Sequence, residues 1–120
     1  MIPYFTIIIP THKRYFLLER AVKSILSQTY QNYQIIIISD ILDNETFNIC
    51  YLLRKNDLFI LKHGAKGPSE SRNIGIENAK GNFTLFLDDD DAYEESYLEN
   101  IANSIVDAII IMKYYTQITR

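Results

Sequence analysis

Four consecutive aspartates, Asp88 to Asp91, follow an apolar-rich run in "FTLFLDDDDAYEE" at residues 83–95. Adjacent carboxylates repel one another, most strongly where nearby protein lowers the effective dielectric, so something must offset the charge. Two readings are open. One is a solvated turn, or the acidic first turn of a helix, which the helix dipole favours. The other is a bound cation. If the chain stays extended beyond Leu87, Asp88 and Asp90 project to one side while Asp89 points away. Two same-side carboxylates form a hard-oxygen site for magnesium or manganese, with positions left for substrate phosphates. A calcium loop starting at Asp88 is rejected, because Ala92 stands at a ligand position and Tyr93 where glycine is required. His63 and Cys50 read as structural, since no His/Cys pair has metal-binding spacing.

The elements that must position these carboxylates alternate along the chain. "FTIIIP" (5–10), "YQIIIIS" (33–39), "LFIL" (58–61), "NFTLFL" (82–87) and "AIIIM" (108–112) read as short buried strands. "YFLLERAVKSILSQ" (15–28) reads as a helix with Phe16, Leu17, Ala21, Ile25 and Leu26 on one face. "TFNICYLLRK" (46–55) reads as a second helix, with Thr46 near its start. "SESRNIGIENAKG" (69–81) reads as a third, with Ser69 as N-cap and Gly81 as its stop, and "EESYLENIANSI" (94–105) as a fourth. Alternation of this kind predicts an α/β fold, a mostly parallel sheet with helices on both faces. In such sheets ligands sit beyond the carboxyl ends of strands, which is where "PTHKR", "SDILDN" and "DDDD" fall. "GAKGPSES" has the spacing of neither a phosphate loop nor a dinucleotide fingerprint.

Composition bounds the chemistry further. At 120 residues, 48% hydrophobic and 22% charged, the chain reads as one globular domain over residues 1–120. A formal net charge of -3 gives no reason to expect nucleic acid as a partner. The single Cys50 cannot form an internal disulfide, and no apolar run approaches a membrane span. In "MIPYFTIIIPTHKR" the positive charges follow the apolar run, the reverse of a signal peptide. These features lead to the expectation of a cytoplasmic protein, at most peripheral to the inner face of the membrane. The charge is unevenly spread: seven of the 15 acids lie within residues 88–99, and no Lys or Arg occurs between Lys80 and Lys113. The acid run has no basic partner nearby in sequence.

"TIIIPTHKR", "AVKSILSQTYQNYQIIIISD", "GPSESRNIGIENAKGNFTLFLDDDD" and "YLENI", in that order over roughly residues 5–107, resemble the nucleotide-binding half of family 2 glycosyltransferases, which have the Rossmann-like GT-A fold. The resemblance implies transfer of a sugar from a nucleotide diphosphate donor, usually a uridine one, to an acceptor hydroxyl with inversion, in glycan or polysaccharide synthesis. It implies that Asp88 and Asp90 hold a divalent metal, manganese or magnesium. Thr11, His12, Asp40, Gly67, Arg72, Asp88 and Asp89 would contact the nucleotide sugar, with Asp40 at the nucleobase. His12 and Lys13 stand where the family commonly has Tyr-Asn, and Ser39, Asp40, Ile41 and Leu42 where it often reads Asp-Asp-Gly-Ser. His12 could still stack its ring on the base. The family's catalytic base and acceptor-binding half lie downstream of the matched region, so residues 1–120 are expected to be the N-terminal part of a longer glycosyltransferase domain. The implied partners are the nucleotide sugar and a glycan or lipid-linked acceptor, with homo-oligomerisation left open. Two other readings stay in view: a non-catalytic nucleotide-binding or interaction module, and a haloacid-dehalogenase-like phosphatase with Asp88 as nucleophile.

Overall fold

The computed structural model describes residues 4–41, 43–54, 59–63 and 67–119. Leu42, Lys55, Leu58 and Gly64, which figure in the expectations above, lie outside the described residues. Four strands, β1 (Phe5–Thr11), β2 (Tyr33–Ser39), β3 (Phe59–His63) and β4 (Phe83–Phe86), form one sheet in the order β3-β2-β1-β4. All three pairings are parallel, and β1 and β2 match along their whole length from Phe5↔Tyr33 to Thr11↔Ser39. Four helices accompany them: α1 (Tyr15–Leu26), α2 (Asn44–Leu53), α3 (Pro68–Glu77) and α4 (Tyr97–Thr119).

The topology follows from the handedness of parallel crossovers. From β1 to β2 to β3 the chain steps one way across the sheet, then β4 returns to the other side of β1. Right-handed connections that reverse direction must place their helices on opposite faces. Accordingly, Phe5, Ile7, Ile9, Tyr33, Ile35 and Ile37 pack with Leu18, Ala21, Val22, Ile25, Cys50 and Leu98 of α1, α2 and α4. The alternate residues Ile8, Ile36 and Ile38 turn the other way, against Ile74 of α3. Period-two alternation along β1 and β2 thus serves two cores, which is why both strands are almost continuously apolar.

Two buried polar residues break that pattern, and they tie the approach to β4. Thr6 donates its hydroxyl to Gln34 Oε1 at 2.7 Å, while the backbone N–H groups of Lys80 and Gly81 donate to Gln34 Oε1 and Thr6 Oγ1, each at 2.9 Å. A Cβ on Gly81 would stand 2.6 Å from the Thr6 nitrogen and 2.7 Å from the Phe5 carbonyl carbon, so only glycine lets the chain pass this close to β1.

Several expectations are corrected. The segment 108–112 is helical, not a fifth strand: α4 runs through it to Thr119. A short apolar β-branched run does not by itself distinguish strand from helix, and no Gly or Pro occurs after Gly81 to end the helix begun at Tyr97. On α1 the buried stripe is Leu18, Ala21, Val22 and Ile25, whereas Phe16 is 88% exposed. α2 starts earlier, capped by Asp43, whose carboxylate accepts from the Thr46 N–H at 2.9 Å. α3 is capped by Gly67, not Ser69, with Pro68 in its first turn, and it ends at Glu77, with Asn78 rather than Gly81 as its C-terminal cap.

Candidate functional site

Beyond the carboxyl ends of β1, β2 and β4 lies a cleft of about 310 Å³ lined by Pro10, Thr11, His12, Arg14, Asp40, Gly67, Ser71, Arg72, Asp88, Asp89 and Asp90. It opens where the strand order reverses, between β1 and β4, the position at which open α/β sheets bind ligands. Every residue that the sequence assigned to a nucleotide sugar or metal therefore reaches one cavity.

β1 is the central element here, and the loop after it reaches both ways. Toward β4, Thr11 donates to Asp89 Oδ2 at 2.9 Å and Arg14 donates to Asp89 Oδ1 at 3.4 Å. Toward β2, His12 Nδ1 meets Asp40 Oδ1 at 2.6 Å. Between them Lys13 has φ +51°, in the left-handed region that lysine seldom adopts, and strain of that kind clusters at functional sites. Asp40 projects from a turn closed by a side chain: the Ser39 hydroxyl donates to the Ile41 carbonyl at 2.5 Å and accepts from the Ile41 N–H at 3.3 Å.

The aspartate run does not continue as a strand. β4 ends at Phe86, and the Asp91 N–H donates to the Asp88 carbonyl at 3.0 Å, closing a turn. The extended geometry supposed for Asp88 and Asp90 is thus absent. Asp89, expected to point away, is instead the buried member, its side chain 9% exposed against 66% for Asp88 and 58% for Asp90. The like charges are offset by arginines from distant segments. Arg72 of α3 lies 3.6 Å from Asp88, Arg14 lies 3.6 Å from Asp90, and Arg20 of α1 donates to the Asp90 carbonyl at 2.6 Å. Sequence reading missed Arg14 and Arg20, although an acid run without local cations implies that cations arrive from elsewhere. Arg72 faces Asp88 and also lies 5.9 Å from the centre of the Phe86 ring.

Neighbouring groups hold the walls. Gly67, at φ +85°, adopts a backbone conformation that side chains disfavour as it leads into α3. Tyr93 donates its hydroxyl to the Phe86 carbonyl at 3.1 Å, and burial pushes its phenol up, which keeps that donor protonated. Tyr15 donates to Asp43, joining the starts of α1 and α2; that bond raises the phenol to about 12 and lowers the Asp43 carboxyl. Burial pushes the Cys50 thiol up to about 12, in keeping with a structural cysteine.

Among the described residues no three His, Cys, Asp or Glu side chains are grouped to hold a metal ion. The donor set still fits one kind of ion. Magnesium-like cations are commonly held by one or two carboxylates plus substrate phosphates, and Asp88 and Asp90 offer two exposed carboxylates in one cleft. Among the described residues no helix is long and apolar enough to cross a membrane.

The model of the family described as glycosyl transferase family 2 matches residues 6–117. A relative from Campylobacter jejuni, GalNAc(5)-diNAcBac-PP-undecaprenol beta-1,3-glucosyltransferase, is 37% identical over 93 residues, covering 74% of this chain and 30% of that protein. Residues 1–349 of Staphylococcus aureus TarS share the fold with a TM-score of 0.78 at 24% identity, over 87% of this chain and 32% of that one. The same TarS segment has been solved in complex with UDP-GlcNAc. The mannosyltransferase PcManGT of Pyrobaculum calidifontis, solved with GDP-Man and Mn2+, matches with a TM-score of 0.63 at 18% identity, over 78% of this chain and 29% of that one. The chain spans 30% of the Campylobacter protein, 29% of PcManGT, 32% of TarS residues 1–349 and 20% of the longer TarS chain.

Proposed function

The chain belongs to glycosyl transferase family 2, and from that premise we propose that its cleft holds the nucleotide diphosphate part of a sugar donor, a uridine one by preference. The sugar would pass to an acceptor hydroxyl, on a glycan or a lipid-linked saccharide, with inversion. Residues 1–120 would form the donor-binding part of a longer glycosyltransferase domain, acting in the cytoplasm or at the inner face of a membrane. The observation that carries this reading is the convergence of Thr11, His12, Asp40, Gly67, Arg72 and Asp88 to Asp90 on one cavity from four separate segments. The undecaprenol diphosphate named for the Campylobacter relative supports a lipid-linked acceptor, and the UDP-GlcNAc bound to TarS supports a uridine donor.

Each group has a role that its placement supports. Asp40 accepts a hydrogen bond from the base: uracil offers an N3–H donor where cytosine offers only an acceptor. Arg72, 40% exposed beside Asp88, faces the departing diphosphate and stabilises its charge. Asp88 and Asp90 would hold magnesium or manganese, which when bound neutralises phosphate charge and makes the diphosphate a better leaving group. Asp89 supports that pair from beneath through Thr11 and Arg14. An acceptor oxygen attacking the sugar face opposite the diphosphate inverts the anomeric carbon in a single displacement.

Calorimetric titration of the chain with UDP and CDP in manganese tests the reading. UDP is expected to bind more tightly by about 1–3 kcal/mol, the cost of leaving a polar group unpaired. Equal affinities would remove Asp40 from the base site, and no saturable binding of UDP or GDP would overturn the donor reading as a whole.

A further inference from the structure

His12 departs from its family's usual residue, and its geometry suggests a task other than stacking on the base. The inference rests on the donor reading above. Its ring nitrogen Nδ1 lies 2.6 Å from Asp40 Oδ1. A carboxylate accepts, so Nδ1 is the donor of this bond in the neutral ring and the imidazolium alike, and Nε2 takes no part in it. The two residues come from neighbouring parallel strands whose ends are in register, Thr11 beside Ser39, so the bond joins the β1 and β2 sides of the cleft. The pair stays open to a ligand: the His12 side chain is 59% exposed and that of Asp40 33%. The loop that presents His12 passes through Lys13 at φ +51°, a conformation held at a cost in backbone energy.

We propose that His12 is a positioning residue for nucleobase selection: it occupies one oxygen of Asp40 and so presents the other, already oriented, to the N3–H donor of a uracil-type base. An unbraced carboxylate at a strand end rotates and must be ordered when the base arrives, whereas a braced one has lost that freedom beforehand. Discrimination between UDP and CDP would then depend on a residue that donates to Asp40, whatever aromatic character it has.

Three substitutions separate bracing from stacking. His12→Ala removes both, His12→Phe keeps a ring without a donor, and His12→Asn keeps a donor near the position of Nδ1. UDP and CDP affinities are measured for each in manganese. The UDP preference is expected to fall about tenfold in His12→Ala and His12→Phe, the scale of one hydrogen bond to a charged group, and to recover in His12→Asn. The effect should vanish in the Asp40→Asn background, and nitrogen-15 spectra of the free chain should show His12 protonated at Nδ1. Recovery in His12→Phe but not His12→Asn would overturn bracing in favour of stacking. An unchanged UDP preference in His12→Ala, or a ring without a proton on Nδ1, would overturn the role of His12 while leaving the donor site standing. No UDP binding by the wild-type chain would overturn both.

Discussion

Asp89 and its two neighbours in the acid run have opposite environments despite identical chemistry. Asp88 and Asp90 are exposed and face arginines at 3.6 Å, a separation at which solvent screens most of the attraction. On the proposed donor reading they would exchange those arginines for a cation and a diphosphate. Mn2+ is therefore expected to tighten UDP binding, and Asp90→Ala should abolish that dependence without disturbing the fold; calorimetry with and without chelator measures it, and UDP binding indifferent to chelator would sink the metal assignment. Asp89 is held differently, buried with Thr11 on one oxygen and Arg14 on the other. Asp89→Asn cannot accept from both through carboxylate oxygens, and its cost should appear in stability, roughly 1–3 kcal/mol for a lost hydrogen bond to a charged group. Urea unfolding reads this. A midpoint equal to that of the wild type would mean that the carboxylate charge and its second acceptor oxygen contribute nothing.

Among the elements, β4 is placed by its approach rather than by its own residues. The chain crosses β1 at Gly81, and Gly81→Ala would set a methyl 2.6 Å from the Thr6 nitrogen and 2.7 Å from the Phe5 carbonyl carbon, neither of which is a side chain able to swing aside. Overpacking of this kind costs about 1–3 kcal/mol. The urea midpoint of Gly81→Ala should fall accordingly, and because Gly81 leads directly into the strand that carries the aspartates, UDP affinity should fall with it. Unchanged stability would mean that the loop can move away from β1 freely. The sequence made the four sheet strands legible because apolar β-branched runs ending in polar clusters have few other uses in a parallel sheet. The strand-end clusters "PTHKR", "SDILDN" and "DDDD" were legible for the same reason, whereas Gly67 and Arg72, at the cap and within α3, came from the family resemblance. What the sequence concealed was long-range. That Arg14 and Arg20 meet residues 89 and 90 depends on strand order, and that Asp89 turns inward depends on a turn at the end of β4. The helix through Ile109–Met112 was concealed for a local reason, because an apolar run of that length fits either state.

On the scale of the whole molecule, the acids lining the cleft each have a partner. Asp40 pairs with His12, Asp88 with Arg72, Asp89 with Thr11 and Asp90 with Arg14. The later acids lie off the cleft lining: Glu99, in the first turn of α4, accepts from Thr29 at 3.0 Å, and Asp107 is exposed further along that helix. Among the described residues, none of these later acids lines the cleft. A missing general base typically lowers the rate by about 10²–10⁴-fold, and an acceptor left unpositioned adds a further loss. The 120-residue chain is therefore expected to bind UDP with Mn2+ and to transfer sugar slowly or not at all. α4 bears on how this is measured, because Val106, Ile110, Met112 and Tyr115 are each at least half exposed, and apolar surface of that extent promotes self-association. The assay should run at several protein concentrations alongside sedimentation, so that activity gained by association is separated from activity of the single chain. Incubation with UDP-GlcNAc or UDP-glucose, Mn2+ and a panel of saccharide and lipid-diphosphate acceptors gives the decision. Robust turnover at the lowest concentration would show that a general base exists within these 120 residues.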